Sequence, residues 1–299
     1  MTIDRRVFLL SGMTTAVAVA AGSRVASAEE TAKKKAALRL GSQHWIIPGQ
    51  SLEEQLAKMK AWGCEGVELP GKIVGEEKRY AKALDASGLA ASAVCWGSCG
   101  GALVSESPEK RQEGRDKLRR VLESAGQLKS TGVIYVPEFH GQTKLDNREI
   151  RKILVDTFPE LGEHAVKCGT RILFEPLNRK ECFFLRQLAD AAAICRDINS
   201  PGVQMMGDLY HMGIEETSDL GAIISAGDAL RHVHLASRTR VLPGQDDRTY
   251  IDAFRGLKYV GFDGYCSFEC GVKGDPEVEI PKSLAFLRDQ WEQATPLEA

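Results

Sequence analysis

Eight short runs rich in β-branched, aliphatic and aromatic residues recur along this chain, and stretches with helical periodicity separate them. The runs are 38–43 (LRLGSQ), 66–69 (GVEL), 91–96 (ASAVCW), 133–137 (VIYVP), 171–175 (RILFE), 203–208 (VQMMGD), 231–236 (RHVHLA) and 265–269 (YCSFE). Ser51 and Glu54 have the spacing of a capping box, opening a helix with Leu52, Leu56 and Met59 on one face. Leu118, Val121, Leu122, Ala125 and Leu128 form an apolar stripe before the fourth run, and Leu284, Leu287 and Trp291 form another at the end. Strands that alternate with helices make βαβ units and a parallel sheet. Eight units in about 270 residues predict an α/β fold of the (β/α)₈ kind, a TIM barrel, because doubly wound sheets usually have fewer strands. No G-x-G-x-x-G follows the first run, so a dinucleotide site lacks its main signature. No Pro-, Gly- or Ser-rich linker interrupts 37–299, which reads as one barrel domain.

Residues 1–28 stand apart. Arg5 and Arg6 precede Val7-Phe8-Leu9-Leu10, a small-residue apolar run follows, and Ala26-Ser27-Ala28 comes just before Glu29-Glu30. A charged start, a moderately apolar middle and an A-x-A site describe an export signal rather than a spanning helix. The paired arginines resemble a twin-arginine signal, which exports folded proteins; an ordinary secretory signal is the alternative. Either route places the mature protein in a bacterial periplasm with no stable membrane anchor after cleavage.

Charge narrows the partners. Thirty-nine basic and 41 acidic residues give a net charge of -2, without the basic surplus that nucleic acid requires. Eight cysteines in an exported chain would ordinarily suggest disulfides. Yet Cys64, Cys168, Cys195, Cys266 and Cys270 sit in apolar patterns, where a free thiol behaves as a small hydrophobe. Cys95 and Cys99 lack a second pair at zinc spacing, and whether they form a disulfide is left open.

Barrel chemistry collects at the C-terminal ends of the strands. There the fifth run ends in Glu175, the sixth in Asp208 and the eighth in Glu269, while the seventh carries His234. Side chains alternate along a strand, so Arg171, Leu173 and Glu175 share a face, as do Ser267 and Glu269. Three carboxylates and an imidazole brought to one mouth would repel and desolvate one another. One divalent cation resolves both problems. An oxygen-rich set with one nitrogen suits Mn²⁺, Mg²⁺, Co²⁺ or Zn²⁺. His232 lies a layer deeper than His234 and reads as a hydrogen-bonded core residue. His44, near the end of the first run, is placed to reach the pocket, and with Trp45 and Trp96 would wall a sugar site.

The segments Phe174-Glu175-Pro176-Leu177-Asn178-Arg179, Gly207-Asp208-Leu209-Tyr210-His211, His232-Val233-His234-Leu235-Ala236 and Ser267-Phe268-Glu269 resemble the xylose isomerase-like barrel superfamily. Within it they are most similar to the sugar phosphate isomerase/epimerase group, which includes hydroxypyruvate isomerases and ketose 3-epimerases. The resemblance implies that Glu175, Asp208, His234 and Glu269 hold one metal ion, with Glu175 and Glu269 as the catalytic acid and base. It further implies that His211 orders a substrate oxygen and that Glu181 and Arg240 contact substrate. Two segments depart from the pattern: Pro243-Gly244-Gln245-Asp246 and Pro137-Glu138-Phe139-His140.

The expected function is therefore a metal-dependent isomerase or epimerase of a sugar or keto-acid, similar to hydroxypyruvate isomerase, working by proton transfer through an ene-diolate. Export favours free sugars and small hydroxy-carbonyl acids over phosphorylated intermediates. The alternatives are a lyase or hydratase acting on 3-keto-glycosides and a non-catalytic sugar-binding barrel. A multi-metal nuclease on the same fold would need more histidines than the six present. The substrate, the metal and assembly into a homo-oligomer are left open.

Overall fold

The computed structural model describes residues 35–295. The signal-peptide reading of residues 1–28 lies outside them. Eight parallel strands close in chain order: β1 (Arg39–Gln43), β2 (Gly66–Pro70), β3 (Ala90–Gly97), β4 (Val133–Tyr135), β5 (Ile172–Phe174), β6 (Val203–Asp208), β7 (Leu230–Leu235) and β8 (Tyr265–Phe268). Gly41 opposite Ser267 joins β1 to β8 and shuts the barrel. Around it run α1 (Leu52–Ala61), α2 (Glu77–Ser87), α3 (Pro108–Gln127), α4 (Asn147–Lys167), α5 (Leu188–Ile198), α6 (Leu209–Glu215), α7 (Asp219–Ala226), α8 (Ile251–Tyr259) and α9 (Pro276–Gln293). None of the described helices is long and apolar enough to cross a membrane.

Strand alternation sorts the residues into two layers. Val67, Leu69, Val133, Tyr135, Ile172, Phe174, Val233 and Phe268 face outward into the main core with the helices. Ala93, Ile134, Leu173 and Met206 form a separate small apolar cluster in the lumen. The expected stripe on α3 is buried, as are Leu284 and Leu287 on α9, where Trp291 packs against Phe254 at 5.4 Å. Two lumen positions on β1 and β2 need glycine. A Cβ on Gly41 would lie 2.7 Å from the Gly66 carbonyl oxygen, and one on Gly66 would lie 2.6 Å from the Tyr265 ring.

Two local expectations are corrected. β4 and β5 stop earlier than the sequence runs suggested, because Pro137 and Pro176 bring no N–H to a ladder. The chain turns outward there and builds the mouth loops. At α1, Ser51 accepts the Glu54 amide, but the Glu54 carboxylate takes the Gln50 amide at 2.7 Å rather than that of Ser51, so only half the capping box forms. All eight cysteines are free, in line with the apolar placement of Cys64, Cys168, Cys195, Cys266 and Cys270, and Cys95 and Cys99 form no disulfide.

Candidate active site

Register brings the four strand-end residues to one height. Asp208 and His234 are direct neighbours across β6 and β7, and His234 pairs with Ser267, two residues before Glu269. Glu175 directly follows β5 on its lumen face. Ligand atoms of Glu175, Asp208, His234 and Glu269 all lie within 4.8 Å of one another. His234 Nδ1 is at the centre, 3.0 Å from Glu269 Oε2, 3.3 Å from Glu175 Oε1 and 3.7 Å from Asp208 Oδ2. None of these approaches is a hydrogen bond: His234 Nδ1 and Glu175 Oε1 are buried without a hydrogen-bond partner.

Beneath this cluster lies a carboxylate that the sequence reading did not single out. Glu68 on β2 is fully buried and accepts from His232 Nε2 at 3.0 Å and from His234 Nε2 at 2.8 Å, both on its Oε2. This confirms His232 as a hydrogen-bonded interior residue. With its Nε2–H given to Glu68, the His234 ring aims Nδ1 at the three carboxylates, which favour a proton there until a cation takes its place and the neutral ring offers a lone pair. A carboxylate behind a ligating histidine commonly has this effect at metal sites. Gln43 was also missed. Its Nε2 donates to Glu68 Oε1 at 2.8 Å and to Glu269 Oε1 at 2.9 Å. The signal for Glu68 was present in Gly66-Val67-Glu68-Leu69, where a lone carboxylate alternates with two outward apolar residues.

The electrostatics draw positive charge into this pocket. Burial, reinforced by Glu269 and Asp208, pushes the Glu175 carboxyl up to about 7 despite the nearby imidazole. Burial also disfavours a charged His234, but Glu269, Glu68, Asp208 and Glu175 outweigh it and raise the imidazole well above its ordinary value. Asp208 is held below the ordinary carboxylate range because Arg240, His234 and His211 overcome its burial. The Arg240 guanidinium bridges Asp208 Oδ2 at 2.5 Å and Glu269 Oε2, and sits 4.7 Å over the Tyr210 ring. Three carboxylates, one of which (Glu175) has an orphaned oxygen, and the orphaned Nδ1 of His234 fit one divalent cation.

The residues expected to touch substrate separate into two groups. His211 lies beside Asp208, with Nε2 at 3.9 Å from Oδ2, while Nδ1 accepts from the Asn178 amide at 3.2 Å. That bond leaves the Nε2 proton facing the cluster, and burial lowers the ring's pKa toward the neutral form. Glu181 accepts from Asn178 at 2.9 Å and is 40% exposed at the rim. Arg240 is already engaged as described. His44 is a correction: its Nδ1 meets Gln55 on α1 at 2.9 Å and its ring faces Tyr80 on α2. The 3-10 turn His44–Ile46 carries the side chain toward those helices. Trp96 packs on Tyr135 at 5.9 Å, whereas Trp45 lines an open cleft of about 540 Å³ with Gln43, Arg240 and Glu269.

The profile of the xylose isomerase-like TIM barrel family matches residues 56–290. The chain belongs to that family. Among its relatives, the 3-dehydro-D-guloside 4-epimerase of Escherichia coli is 28% identical over 263 residues, covering 84% of this chain and 99% of that protein. The ketose 3-epimerase of Arthrobacter globiformis is 28% identical over 215 residues, covering 70% of this chain and 73% of that protein. The crystal structure of apo 3-keto-D-glucoside 4-epimerase from E. coli matches this xylose isomerase-like barrel with a TM-score of 0.77 and 27% identity, covering 85% of this chain and 100% of that one.

Proposed function

We propose that this protein is a divalent-metal-dependent sugar epimerase that inverts a carbon next to a ketone. The observation that carries this reading is the convergence of Glu175, Asp208, His234 and Glu269 at one buried mouth. The names of the two relatives share one chemical feature. A 3-dehydro sugar inverted at C4 and a 2-ketose inverted at C3 both react at the carbon beside the carbonyl. This favours a keto-sugar or keto-glycoside over hydroxypyruvate as the substrate class.

Glu175, Asp208, His234 and Glu269 would hold the ion, which when bound polarises the substrate carbonyl and lowers the cost of removing the neighbouring proton. One of Glu175 and Glu269 takes that proton from carbon, and the C–H electron pair moves into the carbonyl to give an ene-diolate. The other glutamate returns a proton from the opposite face as the carbonyl re-forms, so no net oxidation occurs. His211 donates its Nε2–H to a substrate oxygen, and Arg240 neutralises charge at Asp208 and Glu269. The N-terminal segment is read as an export signal, which points to a free sugar or glycoside rather than a sugar phosphate.

Elemental analysis tests the site. The purified chain should carry about one divalent ion, and Asp208→Asn and Glu269→Gln should each lose most of it. Unchanged metal content in both variants would remove the assignment. Release of an aglycone from a 3-keto-glycoside, in place of an epimer, would point instead to elimination.

A further inference from the structure

Glu68 on β2 is separated from His234 on β7 by two strands, β1 and β8, yet its carboxylate reaches both His234 and, through Gln43, Glu269. The geometry needs both residues. Gln43 stands opposite Glu68 in the β1–β2 register, and Ser42 pairs with Phe268, which sets Gln43 beside Glu269. Carboxylate oxygens flank the Gln43 amide on both sides, so its NH₂ and not its oxygen must face them. The fixed amide then gives one N–H to each carboxylate. On the other side, Glu68 Oε2 takes the N–H of two imidazoles, so the Nε2–H tautomer of each neutral ring is selected. Glu68, His232 and His234 are fully buried, and Gln43 nearly so. Burying such a polar network adds little net stability, which leaves geometric control as its main physical effect.

We propose that Glu68 and Gln43 are the positioning pair of this site: Glu68 sets the ring of His234 to receive the ion, and Gln43 locks the carboxylate of Glu269. The inference rests on the metal-site reading above and deepens it. Glu68→Gln keeps the size but places an NH₂ against the NH₂ of Gln43. Gln43 must then turn its oxygen toward Glu269, and one substitution disturbs both connections. Gln43→Met removes only the two N–H donors and leaves His234 with its partner.

The test titrates Mn²⁺ into the metal-free full chain by calorimetry and records the visible spectrum of the Co²⁺-loaded protein. Glu68→Gln should weaken Mn²⁺ binding by about 10–100-fold and shift the Co²⁺ bands, while the metal-free variant melts close to the unaltered chain. Gln43→Met should shift those bands less and lower kcat more than it changes KM. Mn²⁺ binding within about threefold in both variants, with the unaltered Co²⁺ spectrum, would overturn the inference. Should Glu68→Gln fail to fold, Gln43→Met decides alone: an unchanged kcat and spectrum overturn it. An unaltered chain that binds no Mn²⁺ would overturn the metal-site reading and this inference together. Insensitive variants of a Mn²⁺-binding chain overturn only the inference.

Discussion

The layer between the barrel and its helices and the lumen of the barrel use alternate residues of the same strands, but opposite chemistry. Outward, Tyr135 and Phe174 stack around Phe158 of α4 at 5.5 and 5.0 Å, in a layer of buried apolar side chains. Inward, the lumen is divided. Ala93, Ile134, Leu173 and Met206 fill the side made by β3 to β6, while Glu68, His232, His234 and Ser267 occupy the side made by β2, β7 and β8. The outer layer gains stability from area removed from water. The polar side buries charge and leaves ring and carboxylate atoms without partners, a cost tolerated where a site must bind a cation. Stability and chemistry are thus separated by one residue of strand alternation.

That division can be broken by substitution on either side. Glu175→Gln should lower turnover by about 10²–10⁴-fold, while the metal-free variant melts no lower than the unaltered chain because a buried carboxylate repulsion is relieved. A fall in melting temperature matching the loss of activity would erase the distinction. Phe158→Ala should do the reverse. It should cost about 3–5 kcal/mol of stability in denaturant unfolding, with about one divalent ion still bound per folded chain. Loss of the ion from the folded variant would show that the two layers are coupled.

A smaller effect sharpens the comparison. Because Glu175 is pushed up to about 7 in the metal-free site, an ion entering below that pH must displace its proton. Mn²⁺ affinity should therefore fall by at least about tenfold for each pH unit below neutrality, measured by calorimetry at a series of pH values. A flat profile would mean that the Glu175 carboxylate does not take part in holding the ion.

What could be read from the sequence follows the same division. Period-two runs and helical stripes revealed the outer layer, since burial against helices leaves a local pattern that a window of residues can show. Glu175, Asp208, His234 and Glu269 were also legible, because each lies at a strand end where alternation fixes its direction. The inward direction of Glu68 was legible in Gly66-Val67-Glu68-Leu69, but its role and that of Gln43 were not. Their role exists only once closure of β1 on β8 brings β2 within reach of β7, a relation spanning more than 160 residues in the case of Glu68 and His234. His44 was misplaced because nearness to the end of β1 does not set its direction, and the 3-10 turn there carries it to Gln55 on α1. Arg240 has a left-handed backbone, with φ 59°, in the loop after β7; its bridge to Asp208 and Glu269 has no local sequence sign.

The central claim is that two glutamates at this mouth move a proton on and off a carbon beside a ketone. The most direct measurement is turnover of a keto-sugar or 3-keto-glycoside by the metal-loaded protein in D₂O, read by NMR at the inverted carbon. The account predicts a new epimer carrying solvent deuterium at that carbon, and no such exchange in Glu175→Gln. An epimer formed with its original hydrogen retained would contradict the account, because the inversion would then proceed without exchange through either carboxylate.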